Sequence, residues 1–396
     1  MAYTVLARRY RSQSFGSVVG QEPIASTLIN AIRSGRVAHA YLFCGTRGVG
    51  KTSMARIFAR ALNAPATVDD APPAVDLPGG AEAYPDPEVQ QRMAQAIMKG
   101  EDLNVIEIDG ASNNSVDQAR QLIANAGLSP TANALYKVYI IDEVHMLSGA
   151  AFNALLKTME EPPSHVKFIL CTTEPHKVPA TIQSRCQRFD FRNIATAKIA
   201  EHLEQVLKNE QVQAQGEVVW QIARLGNGSM RDALSLMDRL LATGESPLTP
   251  QTLEDMLGLP DAELIAGFVD ALAAGQIKPA LLAVADLLGR GIGQDQLVEV
   301  VIERLRQLML IAACGPDSEL IELSEEAKPK AIEQAQHFDA AGLVHMIALC
   351  ENLQRYGKTS SNPRALLDAT VVRLALSEKM ADVTAVLAGN VDEKKN

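Results

Sequence analysis

The sequence predicts an α/β domain built on a parallel sheet over residues 1–180, and helices alone after it. Three observations carry this. Four apolar runs of strand length lie in the first part of the chain, helical patterns separate them, and the strand signal then fades. The runs are "AYLFCG" at 40–45, "LNVIEIDG" at 103–110, "YKVYIIDE" at 136–143 and "VKFILCTT" at 166–173. All four are near-continuous rather than alternating, which fits strands covered on both faces. Helices between such strands make a doubly wound sheet.

The remaining elements follow in chain order. Residues 64–87, "APATVDDAPPAVDLPGGAEAYPDP", are rich in prolines, glycines and acids and repeat at neither a helical nor a strand period. They read as a surface loop or a partly disordered insertion. A helix resumes at "PEVQQRMAQAIMKG". Residues 195–243 read as three short helices broken at "QAQGE" and "LGNGS", and helices continue from 249 to near 380. Leu297, Val301, Leu305 and Leu308 recur there at helical spacing and mark a core face. The ending "GNVDEKKN" reads as a polar tail.

At 396 residues and 47% hydrophobic, the chain is long enough for two or three cores. A net charge of −10 argues against a surface coated for nucleic acid, but not against phosphate contacts made by a few cations and helix N-termini. No apolar run reaches the roughly 18 residues that span a bilayer. "MAYTVLARRYRSQSF" lacks the apolar core of a signal peptide, so a cytoplasmic setting without membrane partners is expected. Cys44, Cys171, Cys186, Cys314 and Cys350 are scattered without a C-x-x-C pair, which fits a reducing compartment.

The chemistry starts at "LFCGTRGVGKTSMAR". Gly45, Thr46, Arg47, Gly48, Val49, Gly50, Lys51 and Thr52 fit G-x-x-x-x-G-K-[ST] between a strand and a helix, with Ser53 next. Such a loop aims backbone N–H groups at a phosphate, and the helix N-terminus adds positive potential. Lys51 would reach the β- and γ-phosphates of ATP, and the Thr52 hydroxyl would ligate Mg²⁺. The third run ends in Asp142-Glu143, one carboxylate for the metal shell and one to polarise the attacking water. The fourth ends in Thr172-Thr173, where a hydroxyl could bond that water or the γ-phosphate; Thr173 is the favoured one. In "GNGSMRDALSLMD", Arg231 sits near a helix start, where a cation opposes the dipole. It points either to an external anion or to a salt bridge with Asp232 or Asp238.

Arg185, in "TIQSRCQRFDF", has no carboxylate within four residues before Asp190. None of the groups above needs it. An arginine given to a neighbouring subunit's γ-phosphate is worth about 10³–10⁵ in rate and makes hydrolysis depend on assembly. Arg185 would then need no partner in its own chain.

"YTVLARRYR", "VVGQEPI", "HAYLFCGTRGVGKTSMARIFARALN", the stretch from "YKVYIIDEVHMLSG" to "PATIQSRCQRF", and "GSMRDALSLMD" resemble the gamma/tau subunits of bacterial DNA polymerase III. These are AAA+ ATPase motors of the sliding-clamp loader. The resemblance is dense over 3–63 and 103–258 and diffuse beyond. It implies Gly45–Thr52 as Walker A, Asp142-Glu143 as Walker B, Thr173 as sensor 1, Arg231 as sensor 2 and Arg185 as the arginine finger in trans. It also implies that Ala7, Arg8, Tyr10, Val18 and Val19 frame the adenine. The implied organisation is an AAA+ P-loop domain at 1–180, a helical lid at 181–244, a helical collar at 245–380 and a tail at 381–396. Implied partners are delta- and delta-prime-type subunits, further copies of the chain, the sliding clamp and primer-template DNA. Ser112, Asn113, Asn114 and Ser115 match a helix start that faces DNA backbone in the family; capping their own helix would explain them equally well.

Two departures stand out. The family's four-cysteine zinc module follows "ALN", whereas residues 64–87 contain no Cys or His, so zinc is not expected. Ser12 stands where many relatives have proline. The implied function is an ATPase that loads the clamp during replication. Such a subunit can be catalogued as a DNA-directed DNA polymerase through its holoenzyme, although polymerase chemistry itself finds no support here. The alternatives are a scaffold subunit that binds nucleotide weakly and donates Arg185, or another AAA+ DNA-remodelling ATPase. Intact Lys51, Thr52, Asp142 and Glu143 favour the motor.

Overall fold

The first apolar run is strand β1, Ala40–Cys44, buried along its whole length. The computed structural model describes residues 3–65, 86–112, 128–131, 134–258, 260–318, 320–321, 323 and 327–387, with side chains described through 377. Most of the loop at 64–87 therefore lies outside the described residues. Strands β2 (Val105–Asp109), β3 (Lys137–Asp142), β4 (Val166–Thr172) and β5 (Gln187–Asp190) complete a sheet of order β2-β3-β4-β1-β5. Every pairing is parallel, so all five C-terminal ends share one edge.

Side-chain alternation divides β1 between two cores. Tyr41 and Phe43 join helices α2 (Glu22–Arg33), α3 (Lys51–Asn63) and α4 (Pro87–Lys99); a single-turn helix α1 (Leu6–Arg9) precedes them. Ala40, Leu42 and Cys44 face the other way, onto helix α5 (Gly149–Glu160). Burial on both faces accounts for the near-continuous apolar runs of β1 and β4.

The edge strands depart from the expectation. β2 buries only Val105 fully, and its Val-Ile-Glu-Ile-Asp alternates as a strand with one wet face does. β5 was not expected at all. The segment carrying Arg185 does not leave the sheet; it turns through a short helix α6 (Ala180–Gln183) and returns to pair with β1. Three of the four β5 residues are exposed, and Phe189 alone is half-buried. A short polar edge strand has no apolar run to betray it and is defined by its pairing alone.

Packing divides the chain into residues 1–206 with 222–239, and residues 207–221 with 240–396. Helices α7 (Thr196–Glu210), α8 (Gly216–Leu225) and α9 (Met230–Leu241) are the three short helices expected at 195–243. The second unit continues with α10 (Pro250–Leu257), α11 (Ala262–Ala273), α12 (Ile277–Gly289), α13 (Gln294–Cys314), α14 (Lys328–Ala335), α15 (Ala340–Gly357) and α16 (Pro363–Leu387). Asp261 and Asp339 cap α11 and α15 by accepting backbone N–H bonds in the first turn. Leu297, Val301, Leu305 and Leu308 of α13 are all buried in the aliphatic core of this unit. Helix α16 runs past 380, where a polar tail was expected; residues 388–396 lie outside the described residues.

All five cysteines are unpaired thiols, with Cys44, Cys171 and Cys350 buried. Among the described residues, no helix is long and apolar enough to cross a membrane.

Candidate active site

The site forms where the parallel strands end, the edge at which open α/β sheets present loops and helix N-termini to ligands. Residues 45–50 join β1 directly to α3, so the first N–H groups of α3 open onto the loop. Gly48 and Gly50 have φ of +77° and +100°, a backbone region that side chains strongly disfavour. At Gly48 the neighbours exclude a side chain as well, since a Cβ would lie 1.9 Å from Ser229 Oγ.

Lys51 is 6% exposed, and its ammonium donates to the carbonyls of Gly45 and Thr46, both at 2.8 Å. Burial pulls the pKa of this ammonium below its ordinary range. The Thr46 hydroxyl meets Asn193 Oδ1 at 2.6 Å. From the next residue, the Thr52 hydroxyl donates to Asp142 Oδ2 at 2.7 Å, joining positions 90 residues apart. Asp142 Oδ1 accepts the Glu143 N–H at 3.0 Å.

Glu143 has φ +44°, a left-handed backbone for a residue with a side chain. Such a conformation costs about 1–3 kcal/mol and persists where the surroundings over-determine it. Its carboxylate accepts from Thr173 Oγ1 at 3.1 Å. Thr172 is fully buried and spends its hydroxyl elsewhere: it meets His145 Nδ1 at 3.0 Å and accepts the Glu174 N–H at 3.0 Å. Of the two threonines, Thr173 is the one bonded to Glu143.

A cleft of about 440 Å³ brings most of the expected residues together. Ala7, Arg8, Tyr10, Val18, Val19, Arg47, Gly48, Val49, Gly50, Lys51, Thr52, Ser53, Asp142, Glu143 and Arg231 line it. Gly45 and Thr46 reach it through Lys51, and Thr173 through Glu143. Arg231 forms no ion pair among the described residues. Asp238, weighed as its partner, instead accepts bonds from the Tyr3 hydroxyl and the Leu6 N–H.

Sequence reasoning missed other lining residues, above all Arg11, Arg56 and Lys99. The cleft thus carries seven cationic side chains (Arg8, Arg11, Arg47, Lys51, Arg56, Lys99 and Arg231) against two carboxylates, in a chain of net charge −10. Arg56 is held by Glu107 at 2.6 Å. Burial, then repulsion from Arg56, pulls the pKa of the Arg11 guanidinium below its ordinary range. A half-buried cationic surplus of this kind favours a polyanionic ligand. "LARRYR" was the available signal for Arg11.

Arg185 lies outside the cleft lining of its own chain. One expectation about it is corrected: it has a partner in its own chain. Its Nη2 donates to Glu160 Oε1 at 2.8 Å, and its Nη1 to the Thr181 carbonyl at 2.7 Å. Glu160 closes α5, 25 positions upstream, beyond any local reading. Of the residues weighed for DNA, Ser112 donates its hydroxyl to Asp109 Oδ2 at 2.9 Å, while Asn113, Asn114 and Ser115 lie outside the described residues. Among the described residues no cluster of His, Cys, Asp and Glu could hold a metal by itself.

Comparison with known proteins accounts for nearly the whole chain. Residues 20–195 match the family "DNA polymerase III, delta subunit", residues 198–246 the "DNA polymerase III clamp loader subunit, ATPase lid domain", and residues 248–388 "DNA polymerase III subunits gamma and tau domain III". The tau subunit of Bacillus subtilis is 40% identical over 383 residues, covering 94% of this chain and 63% of the relative. The tau subunit of Escherichia coli is 39% identical, covering 82% of this chain and 48% of the relative. The DNA polymerase III gamma subunit of Buchnera aphidicola is 38% identical over 312 residues, with 79% of this chain and 81% of the relative covered. The chain thus spans about half to two thirds of the two tau subunits and most of the shorter gamma subunit. With a P-loop sheet, a lid and a helical third region matched in that order, the chain belongs to the gamma/tau family of DNA polymerase III subunits.

Proposed function

We propose that the chain is the ATP-hydrolysing motor subunit of a clamp loader, an AAA+ machine that uses ATP to place a sliding clamp on primed DNA. One observation carries the reading. The Thr52 hydroxyl meets Asp142 at 2.7 Å at the start of α3, while Thr173 holds Glu143 beside them.

The residues divide the work as follows. Backbone N–H groups of the loop and the first turn of α3 take the phosphates, and Lys51 adds its charge between the β- and γ-groups. Thr52 and Asp142 offer hydroxyl and carboxylate oxygens, the hard donors that Mg²⁺ prefers, so the pair fits that ion. Bound there, Mg²⁺ would neutralise charge on the β- and γ-oxygens. Glu143 orients the attacking water and takes its proton, with Thr173 fixing the carboxylate. Arg231 faces the γ-phosphate from the same chain. Ala7, Arg8, Tyr10, Val18 and Val19 frame the adenine, and Arg11 adds charge near the phosphates.

Arg185 serves the ATP of the next subunit, and magnitudes decide whether its bond to Glu160 prevents this. A partly exposed ion pair is worth roughly 0–1 kcal/mol. An arginine finger worth about 10³ or more in rate corresponds to roughly 4 kcal/mol of transition-state stabilisation. The transition-state gain exceeds the ion pair, so the bond to Glu160 does not prevent Arg185 from engaging a neighbour's γ-phosphate as charge develops there. The partners of this reading are delta- and delta-prime-type subunits, further copies of the chain, the clamp and primer-template DNA.

Turnover of a Lys51→Ala ring, assembled with clamp and primed DNA, tests the proposal. A loss of hydrolysis with assembly intact is expected. An unchanged rate would assign the chain to the scaffold class, with ATP burned elsewhere in the ring.

A further inference from the structure

His145 lies three positions beyond Asp142, and its side chain is only 6% exposed. The proposed chemistry does not use it, yet polar groups engage both ring nitrogens. Nδ1 lies 3.0 Å from Thr172 Oγ1 and 3.5 Å from Glu143 Oε2. On the other side, Nε2 is 3.1 Å from Glu174 Oε2. Glu174 is itself fixed: its N–H donates to Thr172 Oγ1 at 3.0 Å, and Lys177 Nζ pairs with its carboxylate at 2.8 Å. The Lys177 ammonium holds the Glu174 carboxyl below its usual range, so it stays an ionised acceptor.

The two shorter contacts, to Glu174 and Thr172, fit one tautomer of the ring. Glu174 is acceptor only, so Nε2 carries the hydrogen and donates to it. Nδ1 then accepts the Thr172 hydroxyl, whose oxygen in turn accepts the Glu174 N–H. Every donor in the ring of contacts has an acceptor. The imidazole is left as a fixed wall beside the Glu143 carboxylate, while Thr173 bonds the same oxygen at 3.1 Å.

We propose that His145 is a positioning residue for ATP hydrolysis: oriented by Glu174 and Thr172, its ring restricts the Glu143 carboxylate to the arrangement that Thr173 also supports. The proposal rests on the reading of Glu143 as the group that activates water. His145 touches no substrate; it acts through Glu143. Glu174 belongs to the same device, as the carboxylate that fixes the ring, in the way outer carboxylates fix functional histidines elsewhere.

The test measures single-turnover hydrolysis and ATP affinity in the assembled ring. His145→Ala and Glu174→Ala are each expected to slow hydrolysis by about tenfold, the scale of a lost charge-assisted contact, with ATP affinity within about twofold. Glu174→Gln keeps an acceptor for Nε2 and is expected to recover most of the rate, which also carries the test should His145→Ala not fold. In a Glu143→Gln background, removing His145 is expected to cost nothing further. Parental rates in both alanine variants overturn the proposal and leave the ATPase reading standing. So does a tenfold loss that persists in the Glu143→Gln background, since it marks a structural role. If Glu143→Gln alone leaves hydrolysis untouched, both the proposal and the underlying reading fall.

Discussion

Lys51 of the phosphate loop and Arg185 of the segment between β4 and β5 are held in opposite ways. Lys51 is almost fully buried and bonded by backbone carbonyls of its own loop. The Arg185 side chain is one-third exposed and bonded by a carboxylate that is itself half-exposed, at 33% and 53%. A cation fixed by the backbone that wraps it stays within reach of that loop's own ligand. A cation paired at the surface gives up little on leaving, because water replaces most of what it loses. The first arrangement suits a residue that serves its own chain's ligand, and the second suits one lent to a neighbour.

The contrast can be broken at Arg185. Arg185→Ala in the assembled ring is expected to lower ATP turnover by about 10³ with ATP affinity preserved, read from hydrolysis and from nucleotide titration. A smaller effect is expected at Thr173. Thr173→Val deletes the hydroxyl bonded to Glu143 and should cost about 2 kcal/mol in the hydrolysis barrier, roughly 30-fold in rate, with unchanged ATP affinity. Next, Gly48→Ala forces a side chain into a left-handed backbone against Ser229. It should lower stability in a denaturant melt by about 1–3 kcal/mol and weaken nucleotide binding with it. The smallest effect belongs to Glu160. Glu160→Gln should change stability by less than about 1 kcal/mol and leave ring turnover at or above the parental rate. A sharp fall in turnover would mean that Glu160 positions Arg185 rather than merely parks it.

How far the sequence could be read depends on how local each feature is. Eight contiguous residues carry the phosphate loop, and its flanking strand and helix have clear apolar patterns, so the loop was legible. So were β1, β3 and β4, whose burial on both faces leaves near-continuous apolar runs. β5 was not, because Gln187–Asp190 is polar and gains its identity from pairing with Tyr41–Cys44 far upstream. The adjacency of Thr52 and Asp142 followed from the motif, whereas the choice between Thr172 and Thr173 needed the hydrogen bonds. Glu160 and Glu174 escaped notice because isolated glutamates carry no pattern until the fold brings them against Arg185 and His145.

By itself, the sequence determined the P-loop, the three buried strands, the carboxylates at the end of β3 and the helical second half. These depend on burial patterns and turn chemistry within a few residues. Only the tertiary structure decided which charges meet: Lys51 with its own loop, Arg185 with Glu160, His145 between Thr172 and Glu174. Such bonds require donor and acceptor within about 3 Å, and that fit depends on strand register and helix placement across distant parts of the chain.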